Sequence, residues 1–207
     1  RMDRRTLSVA FKPEPMKSYL GGLNDGIARV IARWPADREF KFYPEIKKLT
    51  LDLAAGSFLG IPWGPEAQAI NRAFTDMVQA AVAPIRRPLP FTAMRRGVKG
   101  REYMCSFFLG EIPKRRGSAA PDIFTRIVNA EDEQGKHLSD QQIVDHMNFL
   151  MMAAHDTLTS SISSLVYYLG KNPEWQEKLR EEVDGVAARH NGDLPFEALS
   201  ELDLVEM

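Results

Sequence analysis

The sequence predicts a mainly α-helical chain organised around one long helix. Apolar residues recur at steps of three and four along most of its length, Gly and Pro punctuate the runs, and alternating strand patterns are nearly absent. The longest run extends from Ser139 to Gly170, with Ile143, Met147, Leu150 and Ala154 on one face of a 3.6-residue repeat. About thirty residues at 1.5 Å each make a helix of roughly 45 Å, enough to cross a whole domain. Such a helix is expected to be central.

The other elements follow from the same reading. Residues 1–11 read as the end of a basic amphipathic helix, with Leu7, Ala10 and Phe11 inward and Arg4 and Arg5 free for an anion; Pro13 and Pro15 end it. A second helix over 16–34 rests on Leu20, Leu23, Ile27, Val30, Ile31 and Trp34, although Gly21, Gly22 and Gly26 weaken its early turns. Residues 39–43 read as a short extended link. Pro44 then opens a helix through Ile46, Leu49 and Leu53 that stops at Gly60-Ile61-Pro62.

Further helices are expected over 66–82 and 92–116, separated by the proline-broken loop AVAPIRRPLP, and over 120–129, followed by the polar loop AEDEQGKH. Ser139 starts the central helix: its hydroxyl can cap free N–H groups, Asp140 suits the positive end of the dipole, and Gln142 completes a capping box. Asn172-Pro173 stops it and opens the next helix, which runs to Arg189 and closes on His190-Asn191-Gly192. Phe196, Leu199 and Leu202 begin another amphipathic pattern.

Composition narrows the class of protein. At 207 residues, 44% hydrophobic and 27% charged, the chain can bury a substantial core, and a net charge of -1 gives no reason to expect nucleic acid. One cysteine excludes an internal disulfide and fits a reducing compartment, so cytoplasmic localisation is the expectation. No apolar run reaches the length of a membrane span. The chain opens on Arg1 and closes inside a pattern barely begun, so both ends are expected to be truncated.

The central helix carries the one constellation suited to chemistry. Asp156 follows Met151, Met152, Ala153 and Ala154, company in which a carboxylate is rarely buried without a partner or a task. Thr157 beside it can bond back to the carbonyl of Ala153. The small Ala153 and Ala154 let something flat and large approach the backbone. Residues alone leave a second reading open, a packing helix whose small side chains admit neighbouring helices while Asp156 points to water.

Other candidates are weaker. Nine Lys and Arg between Arg86 and Arg116 against Glu102 and Glu111 read as a solvated helix face, with an acidic partner or lipid head groups as the alternative. There is no glycine-rich phosphate loop, HExxH or CxxC; His137, His146, His155 and His190 are too scattered for a metal cage, and Cys105 reads as a buried inert thiol.

The segment AAHDTL resembles the oxygen-activating signature of cytochromes P450, [AG]-G-x-[DE]-T-[TS], with Ala153, Asp156 and Thr157 matching. Ala154 stands where that family usually has glycine, and Leu158 where it usually has Thr or Ser. The following LVYYLGKNPEWQEKLREEV is similar to the family's next helix, with its Asn-Pro start and Q-x-K-L-R-x-E pattern. LPFEALSELDLVEM resembles the segment leading into the E-x-x-R helix, and Arg4, seven residues before Phe11, resembles the basic residue that grips a haem propionate.

The resemblance covers the whole chain in order and implies a partial cytochrome P450 domain over residues 1–207, the central part of that fold. It implies a haem-thiolate monooxygenase that inserts one atom of O2 into a lipophilic small-molecule substrate, with electrons from NAD(P)H through a ferredoxin or flavoprotein reductase. Thr157 would hydrogen-bond the oxygen being activated, and Asp156 would pass protons inward from solvent. Arg4, Ala153 and Ala154 would contact the haem, and His155 would face away from it. Helices 66–82 and 92–116 would form a mobile lid over the substrate.

The E-x-x-R pair and the loop carrying the axial cysteine are absent from these residues, so the isolated chain is expected to be inactive and without haem. The rival readings are a P450 remnant that never binds haem and a helical interaction module without chemistry.

Overall fold

A computed structural model describes residues 12–132 and 134–206; the segment bearing Arg4, Arg5 and Phe11 lies outside the described residues. What is described is helical, as the sequence predicts, with a single isolated β-bridge between Glu131 and His137 closing the polar loop.

Helix α1 spans Pro13–Ile31, so Pro13 opens a helix where the sequence reads it as an end. Proline suits the first turn, whose N–H groups have no intrahelical acceptor. The glycine read as a weakness has a use: a Cβ on Gly26 would come within 2.5 Å of Leu53, and its absence lets α1 cross α2 closely. Helix α2 spans Phe42–Leu59, which shortens the expected extended link by two residues. It ends on Gly60 at φ 64°, where the N–H groups of Gly60 and Ile61 bond back to Gly56 and Ala55 at 3.0 Å.

Helices α3 (Pro65–Ala81) and α4 (Ala93–Arg115) form a tight pair, with Thr92 capping α4 through the Arg95 N–H at 3.2 Å. Helix α5, Ile123–Asn129, starts three residues later than its sequence pattern suggests, because Asp122 turns its carboxylate to the Thr125 N–H at 2.8 Å and so becomes the cap. Helix α6 spans Asp140–Lys171 with the expected capping box: Ser139 accepts from the Gln142 N–H at 3.3 Å, and the Gln142 side chain accepts from the Ser139 N–H at 3.0 Å. Helix α7, Pro173–Arg189, follows directly, then a 3-10 turn over Phe196–Glu201 and the short α8, Asp203–Glu206.

The main core gathers Leu59, Ile70, Phe74, Met104, Phe108, Phe124, Met147 and Met151 from α2 to α6. Phe108 and Phe124 meet edge to face at 5.2 Å. A smaller cluster of Val186, Ala198 and Leu202 lies under α7.

The basic run ending α4 is not uniformly solvated. Arg115 turns inward, 14% exposed, and donates to Asp122 at 3.1 Å, to the Thr125 hydroxyl at 3.0 Å and to the Leu59 carbonyl at 2.8 Å. Its guanidinium also lies over the Phe124 ring. Next to it, Arg116 pairs with Asp140 at 2.6 Å, tying the end of α4 to the start of α6.

Candidate functional site

Helix α6 presents chemically different faces because each residue turns about 100° from the last. Inward, Ile143, Met147, Met151, His155 and Thr159 form a strict four-residue stripe, all buried. The expected inward positions Leu150 and Ala154 are only half-buried. On the opposite face Ala153, Thr157, Ser160 and Ser164 are exposed, at steps of four, three and four. Phe149 lies in line with them, and Met152 and Leu158 flank the strip, all exposed.

Thr157 and Asp156 do not share a direction. The Thr157 hydroxyl donates back to the Ala153 carbonyl at 2.7 Å, which leaves its lone pairs facing outward from the small-residue strip. Asp156 stands on the flank, 44% exposed, with its carboxylate 3.5 Å from the Lys47 ammonium on α2. A pair this open contributes at most about 1 kcal/mol to stability, so its importance lies in where it holds the carboxylate.

Behind them is a buried polar group: His155, which the resemblance turns away from the haem face, with Thr50 and Thr159, which the sequence reading does not single out. Thr50 of α2 places its hydroxyl 3.1 Å from His155 Nδ1 and 3.0 Å from the Thr159 hydroxyl. His155 is 3% exposed, and its ring meets Phe74 edge to face at 5.8 Å. Its Nε2 has no hydrogen-bond partner among the described residues and lies 3.8 Å from the Asp156 carboxylate. The four-residue stripe through Ile143, Met147 and Met151 is the local sequence signal that agrees with turning His155 away from the strip. Lys47 and Thr50 have no such signal, because they lie more than a hundred positions away.

Burial pushes the His155 imidazole below its ordinary pKa; the Asp156 carboxylate opposes that shift and the Lys47 ammonium adds to it. The unfolded chain therefore protonates first as the medium acidifies. Stability linked to His155 is complete above about pH 6.5, the unfolded value, and falls below it by up to about 1.4 kcal/mol per pH unit until the folded value is reached. Urea midpoints should drop as the medium acidifies below about pH 6.5 in the wild type, and the drop should be shallower in His155→Gln. Parallel acid profiles would show that His155 titrates alike folded and unfolded.

This surface admits a large, flat and mainly apolar group. The exposed strip has no charged side chain among Ala153, Thr157, Ser160 and Ser164, and its small residues allow close approach to the helix backbone. It fits one wall of a haem pocket. Cys105 cannot supply an axial ligand there, because it packs against Asn148 at 3.9 Å, and Asn148 shares the inward face of α6 with His155 seven residues on. Arg4, the residue expected at a propionate, is outside the described residues.

Comparison with known proteins bears on that fit. The sequence profile described as cytochrome P450 matches residues 65–207. A putative cytochrome P450 136 of Mycobacterium tuberculosis is 37% identical over 210 residues, covering 99% of this chain and 42% of that protein. Cytochrome P450 26B1 of Xenopus tropicalis is 30% identical, covering 93% of this chain and 39% of that protein. A solved structure described as retinoic-acid-bound cyanobacterial CYP120A1 superposes with a TM-score of 0.81 at 26% identity, over 98% of this chain and 45% of its own. The chain thus spans about two fifths of the length of the curated relatives it matches.

Proposed function

The chain belongs to the cytochrome P450 family, and from that premise we propose that it forms the oxygen-handling wall of a haem-thiolate monooxygenase acting on a lipophilic small molecule. The observation that carries the reading is the exposed strip of Ala153 and Thr157 in the middle of a 32-residue helix, with an ionisable carboxylate one residue away. Haem iron ligated by a thiolate supplies the activation of O2. The chain's own residues do the rest. Ala153 and Ala154 would keep the helix surface low against the macrocycle, and Arg4 is the residue that the family resemblance offers to a propionate. Thr157 Oγ1, its proton engaged at the Ala153 carbonyl, accepts a hydrogen bond from a water or acid at the reacting face and so fixes where the proton is delivered.

Asp156 is the shuttle between solvent and that water. It is partly exposed and held by a single flexible lysine, so a side-chain rotation carries it from Lys47 toward the Thr157 side. Because Cys105 is on the inward side of α6, the axial thiolate is assigned to a part of the parent protein outside these residues. Electrons are taken to come from NAD(P)H through a ferredoxin or a flavoprotein reductase. The exposed apolar residues around Thr157, and retinoic acid in the similar cyanobacterial structure, support a lipophilic substrate.

In the intact haem-loaded enzyme, Thr157→Ala should let NAD(P)H consumption continue while product formation falls by about 10² or more, with peroxide accounting for the difference. Measuring product and peroxide per NAD(P)H consumed tests this. Unchanged coupling would remove Thr157 from proton delivery and, with it, the reading of the strip.

A further inference from the structure

The geometry points to His155 as a positioning residue for Asp156: we propose that a proton shared between His155 Nε2 and the Asp156 carboxylate, set against the pull of Lys47, determines which way Asp156 faces. This rests on the reading of Asp156 as a proton shuttle, and extends it to residues on the far side of the helix.

Hydrogen-bond accounting around Thr50 fixes the imidazole tautomer. Thr50 Oγ1 lies 3.1 Å from the Lys47 carbonyl, 3.1 Å from His155 Nδ1 and 3.0 Å from the Thr159 hydroxyl. A hydroxyl has one proton and two lone pairs, and a carbonyl can only accept. The Thr50 proton therefore goes to Lys47, and Thr50 accepts from both His155 Nδ1–H and the Thr159 O–H. All three of its positions are then used. In the neutral ring this leaves the lone pair on Nε2, buried and without a hydrogen-bond partner among the described residues.

That lone pair faces another acceptor. The Asp156 Oδ1 atom is 3.8 Å away, and two acceptors at such range repel unless a proton stands between them. The same oxygen is 3.5 Å from Lys47 Nζ. The carboxylate thus has two settings. With His155 neutral it is pushed off the ring and held by Lys47; with a proton on Nε2 it closes on the imidazolium. The charged and hydrogen-bonding groups facing His155 are Lys47 and Thr50 from α2 and Asp156 and Thr159 from α6, while Phe74 of α3 brings only its ring edge. The direction of the His155 titration agrees, since the Asp156 carboxylate favours the protonated ring and Lys47 disfavours it.

The test is nitrogen NMR of the full-length protein labelled with 15N-histidine, with His155 assigned by His155→Gln. At neutral pH the ring should show the Nδ1–H tautomer. Asp156→Asn should move its titration midpoint down by about one pH unit, and Lys47→Gln should move it up. If His155→Gln does not fold, Thr50→Val provides the second route, because losing the Nδ1 acceptor should release the ring to the other tautomer. An Nε2–H tautomer in the wild type, or a midpoint unmoved by Asp156→Asn, overturns the proposal.

A functional readout separates this from the proposed activity. In the haem-loaded enzyme His155→Gln should change the pH profile of coupling, and an unmoved profile overturns the positioning role. Unchanged coupling in Thr157→Ala instead defeats the monooxygenase reading and leaves the His155–Asp156 pair to the NMR result.

Discussion

Replacing Arg115 with methionine is expected to cost the chain about 3–5 kcal/mol of folding stability, the range for removing one partner of a buried ion pair. The side chain joins three elements at once: Leu59 at the end of α2, its own α4, and the Asp122–Thr125 cap of α5. Methionine keeps much of the packing over Phe124 but removes every donor. Asp122 is 4% exposed, so its carboxylate would keep the Thr125 N–H and hydroxyl but lose the guanidinium charge that faces it. The Leu59 carbonyl would also lose its guanidinium donor. Urea unfolding monitored by circular dichroism measures the loss. A change below about 1 kcal/mol, the range of an exposed pair, would mean that water reaches the Asp122 carboxylate.

Gly100→Ala is expected to destabilise by about 3 kcal/mol, the upper part of the usual cost of overpacking, although alanine favours a helix over glycine by nearly 1 kcal/mol. The reason is the closeness of α3 and α4. A Cβ on Gly100 would stand 2.3 Å from the Ala73 carbonyl oxygen, and one on Gly97 would stand 2.1 Å from the Ala80 Cβ and 2.8 Å from the Asp76 carbonyl oxygen. The obstacles include main-chain atoms, which cannot rotate aside, so the helices must separate. If this pair is the substrate lid that the family resemblance implies, the variant should also weaken substrate binding in the intact enzyme. Stability equal to the wild type, measured by thermal unfolding, would show that the crossing has room for a methyl group.

Arg115 and Gly100 act through partners distant in the chain, whereas helix ends are set by neighbours. The α6 start was legible because a capping box is written within four residues, Ser139 to Gln142, and its end because Asn172-Pro173 stops a helix by itself. The start of α1 is ambiguous for a related reason: Pro13 and Pro15 are compatible with ending one helix or opening another, and the sequence pattern around them does not choose. The site was half legible. Asp156 and Thr157 stood out as polar residues in an apolar and small run, and Thr157 bonds back to Ala153 as its chemistry suggests.

The helices, most of their ends, the small-residue strip and the acid–alcohol pair on α6 are legible locally, because each depends on residues within a turn or two of one another. Helix docking sets which arginine of a basic run is buried, makes Gly97 and Gly100 a helix crossing, and brings Lys47, Thr50 and His155 behind Asp156. Those facts join positions more than a hundred residues apart. Helical periodicity says which side of a helix a residue faces, while its partner is set by how whole helices dock, through the summed burial of their apolar faces.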